Sequence, residues 1–200
     1  MVYYVQTVGD SHADRTFKNI VIENVFIGRR EIGPITMHRV QRDRMNFKQY
    51  IPDHVDMAIF CMGEIDIRCH IHRQITEQNR TLEAIVADLV PNFVKHIASL
   101  DIKAKKIILL PVPPADIHTI QWHGWKYPLQ GSNDERVQYH NAVCVSLITE
   151  CEKNGILCLD PRKHYMDANG MLITSLSDGN VHIGNTEFIG RLLEDLIRNT

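Results

Sequence analysis

The pattern that most limits the fold of this chain is the alternation of short apolar runs with segments of helical period. The runs are four to eight residues long, and most end at a glycine or are interrupted by proline, which is typical of strands. The run at 55–62 is apolar at nearly every position, as in a strand covered on both faces. Five strands are predicted: Val2–Val8, Ile20–Ile27, Val55–Met62, Lys106–Val112 and Ile156–Leu159.

Longer segments between these runs have the apolar spacing of amphipathic helices. The first covers residues 81–100, where Pro91 predicts a kink or a split because proline removes a helical hydrogen bond. A second helix opens at Ser132, which forms a capping-box signature with Glu135, and Gly155 marks its end. These segments are long enough to cover the faces of a sheet.

A last helix is predicted to open at Asn185 or Thr186 and to continue through Leu196. Strands that alternate with helices pair in parallel, with helices on both faces. The sequence therefore predicts an α/β fold with a mostly parallel five-stranded sheet, in one domain spanning residues 1–200, since 200 residues match about one domain. In such sheets, sites form at the carboxyl ends of strands, near the switch in strand order.

Charge and composition exclude several classes of function. Lys and Arg (22) nearly balance Asp and Glu (24), and the net charge of −2 disfavours nucleic acid as a partner. No apolar run approaches the roughly 18 residues of a membrane span. The first residues lack the basic region and cleavage site of a signal peptide, and the five cysteines include no C-x-x-C pair. We therefore expect a reduced, cytoplasmic protein.

Three polar segments lie where strands or loops end, and together they contain the residue types of a nucleophilic triad. They are Gly9-Asp10-Ser11-His12, the block from Gly63 to His70, and Asp178-Gly179-Asn180-Val181-His182. A serine hydroxyl becomes a good nucleophile when a histidine takes its proton and an acid fixes the tautomer of that histidine. The plainer interpretation of the first segment is a glycine turn followed by a helix N-cap.

Gly-Asp-Ser near the start and Asp-Gly-x-x-His near the end resemble the SGNH hydrolase superfamily, also called GDSL esterases and lipases. The resemblance implies a flavodoxin-like three-layer α/β/α fold, with Ser11 as nucleophile, His182 as general base and Asp178 as the acid that orients it. It also implies an oxyanion hole that includes the backbone N–H of Ser11 and a glycine. We choose Gly33 as that glycine, with Gly28 as the competitor. No cofactor or metal is implied.

The third family block departs from the superfamily pattern. It reads Gly63-Glu64-Ile65-Asp66, and Ile65 occupies the position of an asparagine that donates to the oxyanion. Gly-Glu-Ile-Asp-x-Arg resembles a subgroup found with polysaccharide- and glycan-modifying genes. Arg68 is predicted to replace the missing donor or to bind an acidic part of the substrate, and the alternative is a structural arginine paired with Glu64 or Asp66.

The last block departs in its spacing. The family usually has its Asp three residues before the His, whereas Asp178 precedes His182 by four and Gly179 occupies the usual acid position. Glycine tolerates unusual backbone angles, so a loop can absorb the extra residue. Asp160, at the end of the last strand, is the reserve acid.

The long connection from Pro111 to Gly131 carries both tryptophans, and connections of this length are often lids or binding loops. Aromatic rings here suggest a wall for sugar rings, or else a loop packed on the body or in a homo-oligomer interface. The predicted substrate-binding residues combine this loop with the polar blocks: Asp10, Glu64, Asp66, Arg68, His70, Trp122 and Trp125.

Two other clusters in the sequence have ordinary explanations beside a functional one. His70 with His72, and Asp116 with His118, are isolated ligand pairs without a metal-binding framework. The stretch 29–48 holds six basic residues against two acidic ones. Such runs are usually solvated faces, and the sharper alternative is a patch for a phosphate or uronate on the substrate.

The leading hypothesis is a serine esterase that removes a small acyl group from an acylated carbohydrate, and we favour acetyl as that group. A second hypothesis keeps the triad but transfers the acyl group to a glycan hydroxyl, making the protein an O-acetyltransferase. A third is a non-catalytic glycan-binding protein on the same frame, which Ile65 and the shifted Asp178 favour.

Overall fold

The computed structural model describes residues 2–120 and 124–199. Its centre is a five-stranded sheet of order β2-β1-β3-β4-β5 in which all four strand pairings are parallel. This is the flavodoxin-like doubly wound order, with its switch between β1 and β3. The strands are β1 (Tyr3–Gly9), β2 (Val25–Glu31), β3 (Met57–Cys61), β4 (Lys105–Leu109) and β5 (Leu157–Leu159).

Helices cover both faces of this sheet, which completes the predicted three layers. The described helices are α1 (Ser11–Arg15), α2 (Met37–Arg42), α3 (Ile71–Gln78), α4 (Leu82–Ser99), α5 (Asn133–Lys153), α6 (Arg162–Tyr165) and α7 (Glu187–Arg198). One core layer joins α2–α5 to the sheet through residues such as Phe60 and Phe93. The other joins α1, α6 and α7 through residues such as Ile59 and Ile189.

The side chains of β3 point alternately to the two faces of the sheet, and this explains why every position of the strand is apolar. Ala58 and Phe60 belong to the core on one side, whereas Met57, Ile59 and Cys61 belong to the core on the other. All five side chains are buried. A strand with helices on both faces therefore needs apolar residues in both phases of its pleat.

The predicted second strand was wrong in its bounds. β2 begins at Val25, because Asn24 adopts a left-handed φ of 59° and the preceding Val21 is 92% exposed. Gly28 then lies inside the strand, paired with Gln6, rather than closing it. A side chain at Gly28 would meet the Gln6 amide at 2.5 Å. This competitor for the oxyanion glycine is thus a strand residue.

The predicted helix starts agree with the structure. The capping box at Ser132 is present, with its hydroxyl accepting from the Glu135 N–H and the Glu135 carboxylate accepting from the Ser132 N–H. α4 continues through Pro91 without the predicted split. The Asn92 side-chain amide donates to the Asp88 carbonyl at 2.8 Å, next to the position where proline lacks an N–H.

Candidate active site

The first residue of α1 is Ser11, and the close contact of β1 with β3 sets its position. Gly9 ends β1 against Cys61, where an added Cβ would lie 2.0 Å from the Cys61 carbonyl oxygen. The next residue, Asp10, is the N-cap, and its Oδ1 accepts from the His12 N–H at 2.9 Å. Gly-Asp-Ser-His therefore folds as a tight strand-to-helix junction that fixes the serine at the carboxyl edge of the sheet.

Two side chains from the far end of the chain complete a hydrogen-bonded series with Ser11. Ser11 Oγ lies 2.8 Å from His182 Nε2, and His182 Nδ1 lies 2.9 Å from Asp178 Oδ2. A carboxylate can only accept, so Nδ1–H donates to Asp178 and the Ser11 hydroxyl donates to Nε2. This tautomer is the one that a histidine needs in order to take the serine proton.

The four-residue spacing of the last block is absorbed by its loop. The Asp178 N–H donates to the His182 carbonyl at 3.0 Å, and Gly179 has a φ of 83° that favours glycine. The loop returns on itself, so the carboxylate faces the imidazole. Asp160, the reserve acid, instead binds Arg162 through both carboxylate oxygens, at 2.9 and 2.7 Å.

A second group of buried ionisable side chains lies directly behind the catalytic histidine candidate. The ring centroid of His12 is 4.7 Å from that of His182, and His12 Nε2 lies 3.8 Å from Glu64 Oε2. The same Glu64 oxygen is 3.3 Å from an Arg68 guanidinium nitrogen. Sequence reasoning did not assign a role to His12, although its place after Gly-Asp-Ser was a usable signal.

The buried charges shift one another's pKa values. Burial raises the pKa of Asp10 to about 6. Burial opposes charge on Glu64, but Arg68 and His12 outweigh it and lower the pKa of Glu64. Burial likewise opposes charge on His12, yet Asp10 and Glu64 raise its pKa. Burial, and next the His12 charge, lower the pKa of His182 to about 4, so the imidazole is neutral and able to accept a proton at neutral pH.

Arg68 connects this buried group to the aromatic loop. Its guanidinium carbon lies 5.2 Å from the centre of the Trp125 ring, and its Nε–H is buried without a hydrogen-bond partner in the described chain. The Tyr127 ring meets His70 edge-on at 5.7 Å. Trp122, also predicted to bind substrate, lies outside the described residues.

The segment that carries Arg68 is a π-helical turn, Asp66–His70, which leads into α3. Sequence periodicity does not predict such a turn, because its wider winding shifts the side chains relative to an α-helix. π-helical turns are rare in proteins, and those that occur often lie at functional sites. Ile65, just before the turn, is buried, and its side chain offers no hydrogen-bond donor.

All three carboxyls that the sequence assigned to substrate binding are buried inside the protein, namely Asp10, Glu64 and Asp66. Asp66 Oδ2 accepts from the Met37 N–H at 2.8 Å and so ties the start of α2 to the π-helical turn. Asp10 caps α1. Asp10 and Asp66 are 1% exposed, so they lie beneath the surface, where their oxygens accept from backbone N–H groups.

The predicted oxyanion glycine, Gly33, follows β2 at the same sheet edge as Ser11. The Ile32 N–H donates to the Gly9 carbonyl at 2.8 Å, which holds the Gly33 segment beside the end of β1. Gly33 itself has a φ of 93°. The Ser11 N–H lies in the first turn of α1, where backbone N–H groups lack an intrahelical acceptor.

The isolated metal-ligand pairs have other partners. His72 Nδ1 lies 3.1 Å from the Tyr139 hydroxyl, and Asp116 accepts from the His118 N–H and from Asn133. Residues 2–120 and 124–199 contain no group of three or more His, Cys, Asp or Glu side chains arranged to hold a metal ion. Over the same residues, no helix is long and apolar enough to cross a membrane.

Comparisons with solved structures place this geometry on a known fold. A GDSL-like lipase from Bacteroides thetaiotaomicron is 14% identical, with a TM-score of 0.59 over 98% of this chain and 88% of that one. An aryl esterase from M. smegmatis is 11% identical, with a TM-score of 0.61 over 99% of both chains. A carbohydrate acetylesterase from Sinorhizobium meliloti is 12% identical, with a TM-score of 0.58 over 98% and 99%. The chain has the fold of the GDSL hydrolases. No family model and no curated protein matches its sequence.

Proposed function

We propose that the protein is a serine esterase of the SGNH type that removes a small acyl group, acetyl by preference, from a carbohydrate. The observation that carries the proposal is the series Ser11–His182–Asp178, with contacts of 2.8 and 2.9 Å at the carboxyl edge of the sheet. Neighbouring folds include a carbohydrate acetylesterase and a GDSL-like lipase. The substrate class draws on that likeness and on Trp125 beside the buried group.

In the proposed reaction, Ser11 Oγ attacks the ester carbonyl carbon while His182 Nε2 takes the hydroxyl proton. Asp178 stabilises the imidazolium that forms. When the tetrahedral intermediate collapses, the bond to the sugar oxygen breaks and His182 returns the proton to that oxygen. Water, deprotonated by the same imidazole, then attacks the acyl-enzyme. The bond from the acyl carbon to Ser11 Oγ breaks, His182 returns the proton to Oγ, and the carboxylic acid is released.

We assign the oxyanion donors to the N–H groups of Ser11 and Gly33 and to Arg68. Ile65 cannot donate, and loss of one donor from such a site costs about 10²–10³ in rate. The buried Arg68 Nε–H has no partner in the described chain, and its ion pair with Glu64 holds the guanidinium near His12. An arginine can therefore supply the hydrogen bond that the asparagine position lacks.

The test is hydrolysis of p-nitrophenyl acetate by the wild-type protein and by Ser11→Ala, with intact mass spectrometry after a fluorophosphonate probe. We expect Ser11-dependent turnover and one probe adduct that the variant lacks. Ser99→Ala, which removes an exposed hydroxyl on α4, is the matched control and should behave as wild type. Equal turnover by Ser11→Ala would overturn the mechanism.

A further inference from the structure

An open groove of about 660 Å³ lies beside the proposed serine site, between α2, α3 and the segment that carries Tyr127. One end is formed by Pro34, which follows Gly33, and by His70, which ends the π-helical turn. The other end reaches Arg80. The proposed acyl transfer uses none of the side chains that line it. Its size is that of a pocket for a small ligand of two or three sugar units.

Arginine dominates the charge of the groove. Arg39 and Arg42 come from α2, Arg73 comes from α3, and Arg80 closes the far end, whereas Glu77 is the carboxylate among the lining residues. Two of these residues belong to the basic stretch of the sequence. The fold therefore joins that stretch to cations that lie more than 30 positions further along the chain.

Each arginine is paired with a carboxylate, and its guanidinium could bind a ligand anion beside that carboxylate. Arg73 lies 3.2 Å from Glu77, and Asp43 serves both Arg39 and Arg42. Asp88 pairs with Arg80. Ion pairs this exposed contribute little stability, and the five N–H donors of a guanidinium can bind a second anion beside the first.

The neutral lining of the groove suits sugar hydroxyls. Gln74 and Gln78 offer amide donors and acceptors, Thr36 adds a hydroxyl, and the Tyr127 ring supplies an aromatic wall. A neighbouring groove of about 490 Å³ shares Arg42, Gln74 and Arg80 with it, and Arg44 adds a further cation there. Amides, a ring face and guanidinium groups together recognise a sugar that bears a negative charge.

The groove and the serine site meet at the π-helical turn. Arg68 on this turn lies under Trp125 and pairs with Glu64. The same carboxylate meets His12, whose ring packs against His182. His70 on the same turn lines the groove and meets Tyr127 at 5.7 Å. The π-helical turn therefore contributes one residue to the groove and another to the buried group behind His182.

We propose that this groove binds the anionic part of the substrate, a saccharide unit that carries a carboxylate or phosphate group, while its acylated unit lies at Ser11. The proposal rests on the esterase function for the second half of that statement. The positive surroundings also show in His70, whose pKa is lowered by burial and then by Arg73, His38 and Arg68.

Calorimetry with three unacylated probes tests the groove without requiring turnover. Trigalacturonate carries carboxylates, glucose 6-phosphate carries a phosphate, and maltotriose is the neutral control. We expect wild type to bind at least one anionic probe about tenfold or more tightly than maltotriose, with affinity that falls between 0.05 and 0.5 M NaCl because of screening. The probe with the tighter binding identifies the anion.

The variant pair separates the groove from general surface charge. Arg39→Gln combined with Arg73→Gln should lose the preference for the anion about tenfold. Arg198→Gln removes a comparably exposed arginine, with the same i,i+4 pairing to glutamate, on the opposite layer of the sheet, and should bind as wild type. Circular dichroism checks that all the variants are folded.

Hydrolysis of p-nitrophenyl acetate by wild type and by Ser11→Ala keeps the two proposals distinguishable. Ser11-dependent turnover with equal binding of all three probes would overturn the groove and leave the esterase. Preference for an anionic probe that is lost in the Arg39 and Arg73 double variant would support the groove even if turnover were absent. An anion preference that survives in the double variant, or disappears equally in Arg198→Gln, would overturn the groove.

Discussion

Asp178 reaches His182 across one more residue than the related motif uses, and the contact depends on a loop that closes on itself. The His182 N–H donates to Asp178 Oδ1 at 3.4 Å, while Nδ1 donates to Oδ2 at 2.9 Å. One carboxylate thus fixes both the backbone and the ring of the histidine. The segment 178–182 therefore sets the orientation of the His182 ring through its own hydrogen bonds.

Asp178→Asn should lower kcat for p-nitrophenyl acetate by about 10⁴-fold, the effect of the corresponding change in the serine protease triad. An amide can donate to Nδ1 and so favours the tautomer that cannot accept the serine proton. Asp160→Asn is the control, because Asp160 binds Arg162 instead. A variant at Asp178 that retains wild-type kcat would remove this residue from the mechanism.

The pH profile of kcat/KM tests the state of His182. Burial, and next the charge of His12, lower the pKa of His182 to about 4, and the base acts only when neutral. Activity should therefore persist well below pH 6.5 and fall near pH 4. His12→Asn removes the neighbouring charge and should move this acid limb to higher pH. An acid limb at pH 6.5 or above in wild type would contradict the assignment.

At the scale of elements, the site depends on two junctions where a strand meets a helix. Gly9 permits β1 to approach Cys61, and Gly63, with a φ of 114°, turns the chain from β3 towards the π-helical turn. Each junction places its polar residues at one edge of the sheet. The glycines that end apolar runs at these two positions therefore mark the strand-to-helix junctions where the polar residues of the candidate site lie.

Sequence periodicity predicted well the strands that helices cover on both faces, and local sequence predicted the start of α5. β3 is apolar at all five positions, and β4 ends in three buried apolar residues after two lysines. α5 begins at a capping box that local sequence specifies. β2 was wrong because it is an edge strand with an exposed pattern, so its apolar content is no guide to its bounds. The π-helical turn was not predicted, because no local residue pattern marks its winding.

At the scale of the molecule, the proposed site joins residues that lie 171 positions apart in sequence, Ser11 and His182. Motif order predicted that these two residues would meet, because the sheet brings strand ends to one edge. It did not predict the groove of arginines, which combines α2 with α3 and depends on how the helices pack. Nor did it predict that Asp10 and Asp66 lie beneath the surface, since a motif records residue types and not their burial.

The protonation of the Asp66 carboxyl, which lies beneath the candidate site, affects the free energy of unfolding of the whole protein. Burial raises its pKa to about 7, so the folded chain holds this proton more tightly than the unfolded chain does. Between about pH 4 and pH 7, Asp66 therefore lowers the free energy of unfolding as pH rises, because the folded state binds more protons there. Asp66→Asn does not titrate, and it keeps an oxygen that can accept from Met37.

Relative to wild type, the free energy of unfolding of Asp66→Asn should increase between pH 4 and pH 7.5, by on the order of 2–4 kcal/mol. Comparing the two proteins at each pH cancels the contributions of the histidines and the other carboxyls. Urea unfolding followed by circular dichroism measures the difference, and Asp53→Asn, at an exposed position, is the surface control. A difference that stays constant over this range would show that Asp66 is ionised in the folded protein at every pH tested. The tie between α2 and the π-helical turn would then be made by a buried carboxylate.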